Sequence, residues 1–198
     1  MLRRFLVLLV LVVGALVLSA AAFAAAVTVR VEGKTQTIFG STPVRVQAGN
    51  ALDALEAASL LGEFHYVVTS SSFGNYVSQI GRYPASGTSG WVFKVNGASP
   101  PVGADAVTLR DRDVVLWYWA TFGPAGGPPT LSLRSAGGSC YAVTQFDDAG
   151  RQTATAGAVL HVDGRRVRTS ATGRGCIGRH AGLVRAYAVG AVRSNTVK

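Results

Sequence analysis

From Val27 onward the chain is cut into short apolar runs of strand period by turn residues, and one stretch alone carries the period of a helix. Val27, Val29 and Val31 alternate with Thr28, Arg30 and Glu32, as in a strand with one face buried. Val44 and Val46 repeat the alternation after a turn expected near Gly40 to Pro43. Asn50 has the character of an N-cap, with Asp53 three residues on and Glu56 near the positive helix end. Leu52, Leu55 and Ala58 share a face and Gly62 is the expected C′ stop, so the spacing predicts a short helix over 51–61. Phe64 to Val68, Tyr76 to Ile80, Trp91 to Val95 and the short run Val107 to Leu109 read as strands, and Asn96-Gly97 is a tight-turn signal. Val114 to Ala120 is apolar on both faces and therefore wants the middle of a sheet. One helix on a mixed sheet predicts a small α+β unit.

Upstream of these runs, residues 1–26 have the three parts of an export signal. Arg3 and Arg4 give a positive start, Phe5 to Leu18 is apolar apart from Gly14, and Ser19 to Ala26 is a run of small residues. Ala22-Phe23-Ala24 and Ala24-Ala25-Ala26 both fit a peptidase site, and an uncleaved anchor is the rival reading, since apolar residues continue through Val27. The expected location is outside the cell or at its envelope.

Charge divides the remainder. Residues 27–123 carry seven basic and seven acidic side chains, whereas residues 124–198 carry ten basic residues against Asp147, Asp148 and Asp163. Between the halves, 124–129 is a linker by its glycine and proline content. Two domains are thus expected, 27–123 and 130–198. In the second, strand-like runs at Leu131 to Arg134, Cys140 to Phe146, Ala158 to Val162, Arg165 to Thr169, Leu183 to Ala188 and Ala191 to Ser194 alternate with turn chemistry such as Asp163-Gly164. That pattern predicts a small all-β sandwich. Cys140 and Cys176 both fall in it, and an even count in an exported chain points to a disulfide.

The segments AGNALDAL, SSFGNYVSQI, SGWVFKVNG, VGAD and LRDRDVVLWYW, in that order, resemble the transcobalamin-type C-terminal domain, a β-grasp family best known in bacteria as a domain of unknown function. The resemblance covers nearly all of 27–122. One departure is Arg112, where the family usually has glycine before Asp113. In the vertebrate cobalamin carriers the corresponding domain caps one side of the corrinoid. The resemblance therefore implies ligand binding and a cobalamin-like ligand, but fold alone does not carry the ligand over. The second domain is similar, more weakly, to bacterial Ig-like or carboxypeptidase-regulatory-like modules, through GAVLHVDGRRVRTSATGRGC and the terminal VRSN. In relatives such modules are spacers, stabilisers or adhesive surfaces. The expected fold is an α+β β-grasp-like domain followed by a small all-β Ig-like sandwich, after an N-terminal signal peptide.

Aromatic residues are the candidates for a binding surface: Phe73, Tyr76 and Tyr83 in loop-like sequence, and Trp91 and Phe93 on one face of a strand. The competing reading of alternate aromatics on strands is core packing. No catalytic constellation is expected. Cys176 and His180, four apart, suggest a thiol nucleophile, but a second cysteine is available as partner. Ser89 in Gly-Thr-Ser-Gly misses a nucleophile elbow, and His65, His161 and His180 lack metal-ligand spacing. The function expected is that of an exported, non-enzymatic binding protein for a small molecule or peptide, without a cofactor. The alternative is a structural or adhesive envelope protein. The arginines of the second domain (Arg165, Arg166, Arg168, Arg174, Arg179, Arg185 and Arg193) are a candidate surface for an anionic envelope polymer or a solvated face. Nucleic acid is not an expected partner.

Overall fold

The structure, a computed structural model, describes residues 24–71 and 74–198. The expected export signal lies outside these residues except for Ala24 to Ala26, and Ala25 and Ala26 open the first strand. The first unit contains β1 (Ala25–Glu32), β2 (Thr37–Ala48), α1 (Ala51–Gly62), β3 (Tyr66–Ser71), β4 (Gly74–Ile80), β5 (Tyr83–Pro84), β6 (Ser89–Val95) and β7 (Val114–Thr121). Four of the strands form a sheet in the order β2-β1-β7-β6, with β1 parallel to β7 and the other pairs antiparallel. The remaining three form a smaller sheet, β3-β4-β5.

The β1–β2 hairpin turns at Gly33, whose N–H donates to the Gln36 carbonyl at 2.9 Å. The turn expected at Gly40 to Pro43 is instead part of β2. The pairing shifts register there, and Gly40 has φ +74°, with the Val29 carbonyl 2.5 Å from where a Cβ would stand. A bulge absorbs what reads as a turn. Asn50 caps α1 as expected, its Oδ1 accepting from the Asp53 N–H at 2.8 Å. The helix stop is displaced by one residue. Gly62 ends the helix and Glu63 takes the left-handed position, φ 51°, because Phe39 and Phe64 crowd the Gly62 Cα. Val107 to Leu109 is not a strand; Leu109 is buried on an irregular segment. Arg112 has φ 71°, a conformation that favours glycine.

α1 packs across one face of the large sheet through Ala51, Ala54, Leu55 and Ala58 against Val27, Val29, Val31, Val115 and Trp117. β7 lies between β1 and β6, the interior position its two apolar faces require. Its other face is covered by the second unit.

That unit contains β8 (Thr130–Ser135), β9 (Cys140–Phe146), β10 (Gln152–Ala154), β11 (Val159–Val162), β12 (Arg165–Arg168), β13 (Arg174–Cys176), β14 (Val184–Tyr187) and β15 (Thr196–Val197). β9 pairs with β8 along one edge and with β10 and β13 along the other; the second sheet runs β12-β11-β14-β15. Leu131, Leu133, Tyr141 and Val143 of one sheet meet Leu160, Val162, Val184 and Ala186 of the other, which makes a β-sandwich. The run Ala191 to Ser194 is not a strand; Val192 makes a lone bridge to Thr130, and the Asn195 side chain bonds both backbone groups of Leu133. Cys140 and Cys176 form a disulfide across the β9–β13 pair.

The polar side of β1, expected to face solvent, is buried. Arg30 is 8% and Glu32 1% exposed, because the sandwich docks on that face. Glu32 receives Arg193 Nε at 2.9 Å and Arg30 Nη1 at 2.8 Å, and Arg185 lies at 3.8 Å. Arg193 also donates to the Gly33 carbonyl, Arg30 to the Arg193 carbonyl, and Arg185 to the Thr37 hydroxyl. Leu116, Tyr118 and Ala120 with Val92 and Val192 form an apolar seam beside these charges. Linker residues Pro124 and Ala125 sit in a closed turn, since Gly123 and Gly126 exchange two backbone bonds.

Candidate functional site

The edge of the large sheet at β6 borders a cleft of about 360 Å³. Its floor is aromatic. Trp117 is held by an Nε1–H bond to the Ala51 carbonyl at 3.1 Å, and the Phe93 ring lies 5.1 Å from it, with Leu52 alongside. β4 forms one wall with Asn75, Tyr76 and Val77, and the loop 99–105 closes the end. That loop is pinned twice: Leu52 N–H donates to the Ala104 carbonyl at 3.1 Å, and Asn75 Nδ2 donates to Asp105 at 3.0 Å. On the other side of β6, Val92, Tyr118 and Phe122 continue the apolar lining to Asp148 of the second unit.

The ionisable groups on this lining are two aspartates and two tyrosines. Asp105 and Asp148 are there and no lysine or arginine is, in a protein of net charge +9. Lys94 lies close by but points away from the opening. Its ammonium is wholly buried, donates to the carbonyls of Phe146 and Asp147 at 3.2 and 2.9 Å, and pairs with Asp148 at 3.4 Å. Burial holds its pKa below the ordinary lysine value, against the pull of Asp148. Burial likewise raises the pKa of Tyr118, reinforced by Asp148, so that phenol stays neutral.

Of the aromatic candidates, the structure brings Tyr76, Trp91 and Phe93 together on this cleft. Tyr76 is 50% exposed and offers its ring to solvent; Trp91 is 6% exposed, its indole N–H locked on the Tyr83 carbonyl at 2.8 Å. Tyr83 itself lies elsewhere. Its hydroxyl meets Thr35 and Arg82 at 3.4 and 3.1 Å, and these bonds lower its pKa, Thr35 foremost. Its ring neighbours Trp119, which Lys34 overlies at 4.2 Å. Trp119, Lys34 and Arg193 border a second hollow of about 520 Å³ between the units, basic where the first is acidic. Phe73 lies outside the described residues.

Sequence reasoning missed Trp117, Tyr118, Asp105 and Asp148. The first two read as buried sheet residues, which they are; they reach the cleft because β6 beside them is short of a neighbour. Asp105 stood in the Gly-Ala-Asp segment, a usable signal. Nothing in the sequence ties Asp148, in a turn of the other unit, to this place.

The Cys176 thiol is in the disulfide, and among the described residues no cysteine is free. His180 instead accepts from the Tyr141 hydroxyl at 2.7 Å while its Nδ1 bonds the Gly182 carbonyl. Among the described residues no three His, Cys, Asp or Glu side chains converge as metal ligands, and no helix is long and apolar enough to cross a membrane. Of the seven arginines, Arg185 and Arg193 lie between the units, while Arg165, Arg168 and Arg174 donate to backbone carbonyls.

Comparison with known proteins bears on the first unit. No curated protein matches the chain. The solved structures that resemble it include one from Ruminococcus gnavus ATCC 29149 described as a "putative metal binding protein". It aligns over 48% of this chain and 95% of its own, at 18% identity and a TM-score of 0.37. A family model described as a domain of unknown function, DUF4430, matches residues 50–121, from the cap of α1 to the end of β7.

Proposed function

We propose that this is an exported, non-catalytic binding protein that holds a neutral or cationic apolar ligand in the cleft beside β6. The observation that carries this reading is the lining: aromatic and aliphatic side chains with two carboxylates and no cation, in a basic protein. Asp148 is paired with Lys94, which leaves Asp105 to disfavour phosphates and carboxylates, and the aromatic lining favours a ligand that stacks on Phe93 and Tyr76. The volume, about 360 Å³, lies at the small end of small-molecule sites. A corrinoid-like ligand would accordingly be gripped at its rim and not enclosed.

The order β2-β1-β7-β6 with one helix across a face supports a β-grasp domain, and the transcobalamin-type segments build three walls of the cleft. The second unit is proposed to be an Ig-like module that braces the first. Arg165, Arg166, Arg168, Arg174 and Arg179 remain exposed for an anionic envelope polymer, whereas Arg185 and Arg193 are taken up by Glu32, a weaker attraction than seven arginines would give. A disulfide suits an oxidising compartment and agrees with export.

Titration of intrinsic tryptophan fluorescence tests the reading, since Trp91 and Trp117 both touch the cleft. A panel of corrinoids, haem, neutral glycans and cationic aromatic amines is expected to give saturable quenching with the neutral or cationic members and weaker quenching with haem, whose propionates meet Asp105. Silence across the panel would favour a structural or adhesive envelope protein instead.

A further inference from the structure

β6 is the last strand of its sheet, and its backbone is polarised in a way the pairing register makes explicit. Asn96 N–H donates to the Val114 carbonyl and Phe122 N–H to the Thr88 carbonyl, so the even-numbered residues of β6 bond β7. The odd-numbered residues direct N–H and C=O to the outer edge. At one end Ser89 is occupied by Ser86, and at the other Val95 exchanges two bonds with Ala98. Between them, Trp91 and Phe93 hold four backbone groups with no hydrogen-bond partner among the described residues.

The cleft lies over this open stretch. Val92 and Phe93 project to opposite faces of the sheet, yet both line it, so it opens across the strand's edge. An uncovered edge is a hazard that proteins usually blunt with charge, proline or a bulge. Between Ser89 and Val95 there is no proline and no bulge, and the one charge, Lys94, is buried and bonded to the Phe146 and Asp147 carbonyls. Protection comes instead from β4 and the 99–105 loop, which recess the edge. A flexible segment can reach it and the edge of another folded sheet cannot.

We propose that the ligand of the cleft is an extended peptide segment, neutral or cationic, that adds to β6 as an outer strand. The free groups of Trp91 and Phe93 pair with its backbone, and alternate side chains of the peptide fall on Phe93, Trp117 and Tyr76. The open stretch from Gly90 to Lys94 spans about 13 Å, room to pair a segment of about four residues. Asp105 sets the preference against acidic side chains, Asp148 being paired with Lys94. This proposal rests on the cleft being the binding site.

The experiment separates the two. The whole protein is panned against a phage-displayed library of random peptides, and enriched sequences are synthesised with single backbone N-methyl groups. Methylation at alternate residues is expected to weaken binding about tenfold or more, while methylation at the residues between is silent. The Trp91 and Phe93 amides should gain protection from hydrogen exchange in the complex. Phe93→Pro, which removes an outward N–H without touching the bonds to β7, should weaken binding well beyond the loss seen in Phe93→Leu, which gives up the ring but keeps that N–H. Enriched peptides that ignore N-methylation, or leave both amides unprotected, overturn strand addition and leave the cleft reading intact. So does a failure to enrich any peptide while the neutral dye N-phenyl-1-naphthylamine still quenches tryptophan. If neither probe binds, both the strand-addition proposal and the cleft reading fall.

Discussion

Among the described residues four other than glycine hold positive φ, and their side chains divide them into two pairs. Asn96 (φ 52°) and Asp163 (φ 47°) are types that tolerate the left-handed region, and each uses its side chain locally. Asn96 Oδ1 accepts from the Val114 N–H at 2.9 Å, and Asp163 Oδ2 accepts from Ala181 and Gly182, which lowers its pKa. Glu63 and Arg112 have no such compensation; both are exposed and their Cβ atoms crowd the backbone. Glu63→Gly and Arg112→Gly should each stabilise the protein, by about 0.5–1 kcal/mol, once the greater freedom of glycine in the unfolded chain is set against the relieved strain. Urea midpoints check this. A destabilised Arg112→Gly would mean that its side chain holds something the backbone strain does not reveal.

At the level of elements, the pairing of β1 bears on where the proposed export signal would be cut. Ala25 pairs with Ala48 and Ala26 with Gln47, and the Ala26 backbone bonds both Asp111 and Arg112. Cleavage after Ala26 would remove these pairs and leave the loop before β7 untied; cleavage after Ala24 keeps all of them. N-terminal sequencing of exported protein should therefore find Ala25 first. A mature chain beginning at Val27, or one still carrying residues 1–24, would contradict the expectation. Element types were legible wherever the apolar period was local: α1, β1, β6, β7 and β9 stand near where the spacing puts them. β10 and β13, three residues each, carry too little pattern to be read, and both exist because β9 offers them an edge. Gly40 read as a turn because glycine marks both turns and bulges, and only the partner strand distinguishes them.

For the molecule as a whole, the decisive contact is the one between its two units. Glu32 is surrounded by Arg30, Arg185 and Arg193, three cations to one buried carboxylate, and burial depresses the Arg30 pKa against the pull of Glu32. Removing the carboxylate leaves guanidinium groups uncompensated in a dry interface, a loss of about 3–5 kcal/mol. Glu32→Gln should accordingly divide a single unfolding transition into two, with the disulfide-linked sandwich outlasting the first unit. Calorimetry decides it. An undivided transition within about 1 kcal/mol of the parent would show that the apolar seam, and not the charges, couples the units. The docking also explains why the second unit's arginines are poor indicators of a partner: five of the seven already bond within the chain.

The amino-acid order by itself determined the helix and its cap, the strands of strong period, and the interior place of Val114 to Ala120. Those features depend on neighbours a few residues away, and local spacing records them. Only the tertiary structure decided that Arg30 and Glu32 face another unit and not water, that Asp148 joins Asp105 across more than forty residues of chain, and that β6 is left with an open edge. Alternation along a strand states which face is polar. It does not state what, if anything, lies against that face or beside that edge.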